Sequence, residues 1–187
     1  MTTPATAGTR TETDSLGSRE VPQDVLWGIS TLRAVENFPI TGRPIGQIRH
    51  MVWGLGAVKL AAARANNTLG LLDDERSGAI EAAALEVMDG TWDDQFVVDR
   101  VQGGAGTSTN MNANEVIAHR ASQILGQPIG YVDPIDHVNR CQSTNDVYPS
   151  ALKLALFRSL EPLITAHVAL QQGFRAKSVE FKNITKI

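Results

Sequence analysis

The chain has 187 residues, room for one domain, and 42% of them are hydrophobic, enough to bury a core. Its net charge of −3 and scattered Lys and Arg argue against nucleic acid, which selects a basic patch. One cysteine, Cys141, excludes an internal disulfide and a cysteine metal cluster, and no run approaches the ~18 apolar residues of a membrane span.

The first residues, "MTTPATAGTRTETDS", carry no apolar h-region, so no secretory signal is read there and a cytoplasmic location is expected. Residues 1–12 are small, polar and without period, and predict a disordered tail. "SLGSREVPQ" (15–23) reads as turn and irregular structure. Apolar residues at 25, 26, 29, 32 and 35 predict a helix from 24 to about 37. A longer helix is predicted over 45–70, where Ile48, Val52, Leu55, Val58 and Ala62 step by three and four. Another is predicted over 71–90, capped by Asp73 or Asp74. "QFVVDRV" (95–101) reads as a short strand or as the end of a helical turn, 114–126 as a helix ending at Gly126, and 127–142 as loop.

The strongest period comes last. Leu152, Leu156, Leu160, Leu163, His167, Leu170 and Phe174 repeat at close to 3.5 residues, which predicts a long bundle helix with a bend at Pro162. No second helix of that length is available to cover the stripe, so the chain reads as incomplete or as dependent on other subunits. The fold class is mainly α: an N-terminal helical domain over 13–140, then the first long helix of a central bundle over 141–187.

Residues 103–112, "GGAGTSTNMN", pose the functional question. Glycines before a helix suggest a phosphate cradle. However, no Lys follows them as a P-loop requires, and Thr109 stands where a dinucleotide loop needs its third glycine. Asn110, Asn112 and Asn114 are poor helix formers at a helix start, and such local violations mark functional or strained sites. The plain alternative is that Thr107, Ser108 or Thr109 caps the helix. "QSTND" (142–146) repeats the pattern at the next helix, where Ser143 and Asp146 resemble a capping box. Two such starts facing one another would make a neutral, strongly donating pocket suited to a small carboxylate. His50, His119, His137 and His167 read as packed or solvated, Cys141 as a small packed residue, and Trp27, Trp53 and Trp92 as core.

Three stretches carry a resemblance. "TRTETDSLGSREVPQDVLWGISTLRAVENFPI", "QGGAGTSTNMNANEVIAHRA" and "DPIDHVNRCQSTNDVYPSALKLAL" resemble the N-terminal segment and first two conserved regions of the fumarase/aspartase superfamily. "GGAGTS" and "HVNRCQSTND" look more like its aspartate ammonia-lyase branch than like class II fumarases. The resemblance implies anti elimination of ammonia from L-aspartate to fumarate, through an aci-carboxylate held by preorganised donors. It implies that Thr107, Ser143 and Thr144 donate to the β-carboxylate and that Asn145 holds the amino group. Gly104, Gly106, Ser108, Asn110 and Asn112 would support them. No resident cofactor or metal is implied, with room for divalent-metal activation of a complete enzyme.

The resemblance further implies a homotetramer whose subunits complete the bundle, each site mixing residues of three chains. The family's serine-base motif, Gly-Ser-Ser-x-Met-Pro, does not occur, so no catalytic residue is assigned and the chain is expected to be an N-terminal fragment without turnover. Asp133 and Ile135 depart from the family's usual His or Asn and Asn, in a loop that forms a secondary carboxylate site in fumarases. The alternatives are a class II fumarase or a non-catalytic helical assembly protein, which has no need of the four site residues together.

Overall fold

A computed structural model describes residues 8–102 and 104–185. Two strands open it, β1 (Thr9–Asp14) and β2 (Gly17–Pro22), followed by α1 (Ile29–Asn37), α2 (Arg49–Thr68), α3 (Asp74–Asp89), α4 (Thr107–Ile124) and α5 (Thr144–Glu180). The architecture is mainly α, as expected. No described helix is long and apolar enough to cross a membrane.

The hairpin corrects two expectations. The tail predicted over 1–12 is partly outside the described residues, but 9–12 belong to β1. The segment read as irregular contains β2, paired antiparallel so that Asp14 faces Gly17 across a two-residue turn. Gly17 takes φ +107°, a left-handed value open to glycine. Arg10 holds the chain beyond the hairpin extended, donating to the carbonyls of Pro22 (2.7 Å), Val25 (2.9 Å) and Trp27 (2.7 Å). This delays α1 from the predicted 24 to Ile29.

No side chain within α1 caps its start. The cap comes from Glu115 on α4, whose buried carboxylate accepts from Gly28 N (2.9 Å), Ser30 N (2.8 Å), Thr31 N (3.1 Å) and Thr31 Oγ1 (2.6 Å). α3 is local by contrast. Asp73 accepts from Arg76 N at 2.8 Å and Gly90 closes the helix with φ +99°.

α2 and α3 pack together, α2 crosses α5, and α4 lies on α1 and α3. Val52, Leu55, Ile80, Val87, Val116, Ile117, Val147 and Ala151 fill the space between them. The α2–α5 crossing is close: a Cβ on Gly54 would stand 2.5 Å from the Ala151 carbonyl oxygen. Of residues 95–101, Gln95 ends a 3-10 helical turn (Asp93–Gln95), as one of the two readings expects, and 96–101 form no regular strand. They run beside 43–46 through one bridge, Pro44 to Asp99, and through Ile45 N to Val98 O at 2.8 Å. Part of the predicted loop 127–142 is a π-helical turn over Pro134–Val138, capped by Asp133.

α5 runs unbroken through Pro149 and Pro162. Its buried residues, Val147, Ala151 and Ala155, all lie near its start. Leu152, Leu156, Leu160, Leu163, Leu170 and Phe174 are exposed, between 42% and 68%, so the predicted stripe has no cover among the described residues.

Candidate functional site

The first helix start is shaped by glycine. Gly104 and Gly106 take φ of +74° and +83°, and Gly106 is the N-cap of α4. α4 therefore begins at Thr107, seven residues before the predicted 114. Its N-cap is a glycine with no side chain to accept, which corrects the capping expectation for Thr107, Ser108 and Thr109. Thr109 instead meets Gln102 Oε1 through its N–H (3.2 Å) and hydroxyl (3.3 Å). Thr107 is exposed and Ser108 half-buried, and neither hydroxyl has a hydrogen-bond partner among the described residues. Gly103 lies outside the described residues.

The second start is capped, though not by the predicted box. Ser143 Oγ accepts from Asn145 N at 3.2 Å, while Asp146 N goes to the Ser143 carbonyl at 3.0 Å. Ser143 and Asn145 are exposed and Thr144 is half-buried.

The two starts meet. Asn110 Nδ2 donates to Thr144 Oγ1 at 3.2 Å and to Asn139 Oδ1 at 3.1 Å. Gly106 lies against the Tyr148 ring so closely that a Cβ there would come within 2.7 Å of Cε2. Between them opens a cleft of about 470 Å³, walled by Arg100–Gln102, Gly104–Gly106, Asn145, Tyr148 and Pro149. Asp99 fixes the 100–102 wall. Burial pushes its carboxyl up, but donation from Val101 N (2.8 Å), Thr41 N (2.6 Å), Thr41 Oγ1 (2.8 Å) and Gly42 N (2.9 Å) outweighs this and brings it down to about 2.

Other expected residues fall elsewhere. Asn112 is buried away from the cleft and ties α4 to the Gln95 carbonyl at 3.0 Å, so it supports packing and not the loop. Asn114 is buried with its Nδ2 3.5 Å from Met111 Sδ. Cys141, expected to be packed, is exposed, with φ +58°. Trp53 is half-buried under Arg158, whose guanidinium carbon sits 4.3 Å from the ring centroid.

Sequence reasoning missed Lys59, Asn139 and Gln142. Lys59 is fully buried and donates to Asn139 Oδ1 and Gln142 Oε1, both at 2.9 Å. A signal was present. Val52, Leu55, Lys59, Ala63 and Asn66 step by three and four along one buried face, and a lysine there is out of pattern. Burial pulls the Lys59 ammonium from its ordinary 10.5 to about 7.

The sign follows. A cation with a depressed pKa burdens the fold fully below pH 7, and the burden lifts as pH rises toward 10.5. Relative to Lys59→Met, the native chain is expected to gain stability from pH 7 to 10, on the order of 3 kcal/mol. Urea denaturation of both proteins across that range checks it, and parallel curves would contradict it.

With this geometry in place, comparison with known proteins decides the family. A family model described as Lyase matches residues 17–187. The chain belongs to this lyase family. It is 48% identical to an aspartate ammonia-lyase from a Bacillus species over 181 residues, 95% of this chain and 38% of that protein. It is 58% identical to a class II fumarate hydratase from Halobacterium salinarum over 157 residues, 83% of this chain and 32% of that one. A Brucella melitensis structure described as fumarate lyase:delta crystallin superposes with TM-score 0.93 at 50% identity, covering 94% of this chain and 42% of that chain. This lyase chain thus spans about a third of the length of the curated relatives it matches, 38% of one and 32% of the other.

Proposed function

We propose that this chain forms the N-terminal part of a carbon–nitrogen lyase site that converts L-aspartate to fumarate and ammonia. The observation that carries the reading is the meeting of the two helix starts, through Asn110 Nδ2 and Thr144 Oγ1 at 3.2 Å, beside a cleft walled by Asn145. In this reading Thr107, Ser143 and Thr144 donate to the β-carboxylate and Asn145 holds the amino group. The exposed hydroxyls of Thr107 and Ser143 at the two helix starts suit an anion, and aci-carboxylate charge is stabilised by donors fixed in advance.

Gly104 and Gly106 allow the chain to reach that position. Among the described residues there is no cluster of three or more His, Cys, Asp or Glu fit to hold a metal. The proposal names no resident cofactor and leaves divalent-metal activation as a property of a complete enzyme. It includes a homotetramer whose α5 helices cover one another's apolar faces, and a cytoplasmic location.

The relatives favour two substrates. Aspartate is supported by the "GGAGTS" and "HVNRCQSTND" stretches and by the 48% identity over 95% of the chain. Malate, the substrate of a class II fumarase, is supported by the 58% identity over 83% of it. The test follows fumarate absorbance with L-aspartate and L-malate in parallel, using the uninterrupted gene product. Turnover of aspartate alone is expected. Turnover of malate alone would move the protein to the fumarase reading, and turnover of neither would overturn both. The 187 residues by themselves are expected to form no fumarate, because the Gly-Ser-Ser-x-Met-Pro base motif does not occur in them.

A further inference from the structure

Lys59 sits at the buried end of a hydrogen-bonded chain that ends at Thr144, next in sequence to Asn145 of the cleft wall. Its Nζ donates to Asn139 Oδ1, which also accepts from Asn110 Nδ2, and the same Nδ2 donates to Thr144 Oγ1. An ammonium has three donors and no acceptor, so it dictates the sense of every amide it meets. Asn139 must turn its oxygen to Lys59, and its Nδ2 goes to the Gln142 carbonyl at 3.1 Å. Gln142 must likewise turn Oε1 to Lys59, and its Nε2 goes to the Val138 carbonyl at 2.8 Å. Asn110 then faces Asn139 Oδ1 with its Nδ2. The consequence is visible at its other end: Asn110 Oδ1 is buried without a partner among the described residues. An orphaned buried acceptor is costly, and the opposite amide orientation would set two oxygens against each other. Thr144 Oγ1 thereby becomes an acceptor from the protein, and its own hydrogen is left to donate outward.

We infer that Lys59 is a positioning residue that, through Asn139 and Asn110, fixes the Thr144 hydroxyl as a hydrogen-bond donor toward an anionic ligand. The ligand half of this statement rests on the proposed role of Thr144; the polarity of the network does not. The polar groups facing Lys59 are the amide oxygens of Asn139 and Gln142. Asp136, His137 and Arg140 are the charged and titratable groups of the adjoining turn. Neither they nor any charged group of α3, α4 or α5 pairs with Lys59 among the described residues. Loss of the Lys59 proton removes the charge 2.9 Å from Asn139 Oδ1 and Gln142 Oε1 and leaves a lone pair, which weakens the hold on both amides, so the whole chain of amides should respond to that one titration.

The test uses the uninterrupted gene product. Lysine labelled with ¹³C at Cε reports Lys59, and ¹⁵N-labelled side-chain amides report Asn139, Gln142 and Asn110 through a pH titration. The amide resonances are expected to shift together with Lys59 near pH 7 and to stay flat in Lys59→Met. Succinate, an unreactive dicarboxylate, is expected to raise the shared midpoint. Amides that ignore the Lys59 titration would overturn the inference, as would the same titration persisting in Lys59→Met. Should that variant fail to fold, the coincidence of midpoints in the native chain decides alone. No turnover is needed, so a failed lyase assay and a failed network are separate results. A shared midpoint that succinate leaves in place upholds the network and overturns the ligand half.

Discussion

Gly106→Ala is expected to destabilise the chain by about 3 kcal/mol and to push the two helix starts apart. Two effects add. Gly106 holds φ +83°, where a Cβ costs an L-residue about 1–2 kcal/mol. The new methyl would also overlap the Tyr148 ring, and overpacking of this kind costs about 1–3 kcal/mol. Gly104 separates the two. Its φ of +74° carries the first effect, but a Cβ there meets open space. Gly104→Ala is therefore expected to lose only the backbone part, about 1–2 kcal/mol. Urea denaturation of both variants reads the difference. Equal losses would mean that Tyr148 swings aside freely and that the Gly106–Tyr148 contact does not fix the cleft. Gly106→Ala combined with Tyr148→Ala should recover the packing part alone, a non-additivity expected of residues in contact.

The second large effect lies halfway along α4. Glu115→Ala removes the acceptor for three backbone N–H groups and one hydroxyl at the start of α1. Each buried donor left without a partner costs about 1 kcal/mol or more, and relief of the buried charge offsets part of the sum. A net loss of about 3 kcal/mol is expected, with early hydrogen exchange at Ser30 and Thr31. Protected amides there in the variant would show that α1 holds its start by other means.

A pH dependence accompanies it. Burial pushes the Glu115 carboxyl above its ordinary 4.5, against the four donors that pull it down. A carboxyl raised on folding adds stability below its unfolded value and loses it as pH rises through the folded one. Measured against Glu115→Gln, the native chain should weaken as pH climbs from 4.5 upward.

Local signals were enough for much of the fold. α2 and α3 were legible because their apolar spacing and the Asp73 and Gly90 caps act within a few residues. The α5 stripe was legible for the same reason, as was its lack of a partner. The hairpin was missed because its strands are short and polar. Thr9, Thr11 and Thr13 alternate along β1, but only Val21 of β2 is fully buried, so the apolar pattern that marks a strand is thin. The start of α1 was misplaced because its cap arrives from Glu115, more than eighty residues away. The capping expectation at Thr107 failed because a left-handed Gly106 ends the loop without needing a hydroxyl.

What the sequence determined by itself is therefore local or patterned: mainly helical elements, two hydroxyl- and amide-rich helix starts, an uncovered leucine stripe and the three stretches that identify the lyase family. The tertiary structure decided how those starts face one another and which donors and acceptors are spent inside the protein. Asn110 and Thr144 are 34 residues apart, and Lys59 and Asn139 are 80 apart. Spacing along a helix tells which residues share a face. Which polar groups satisfy one another across the core depends on packing of helices distant in the chain, and a buried lysine becomes meaningful only when its partners are known.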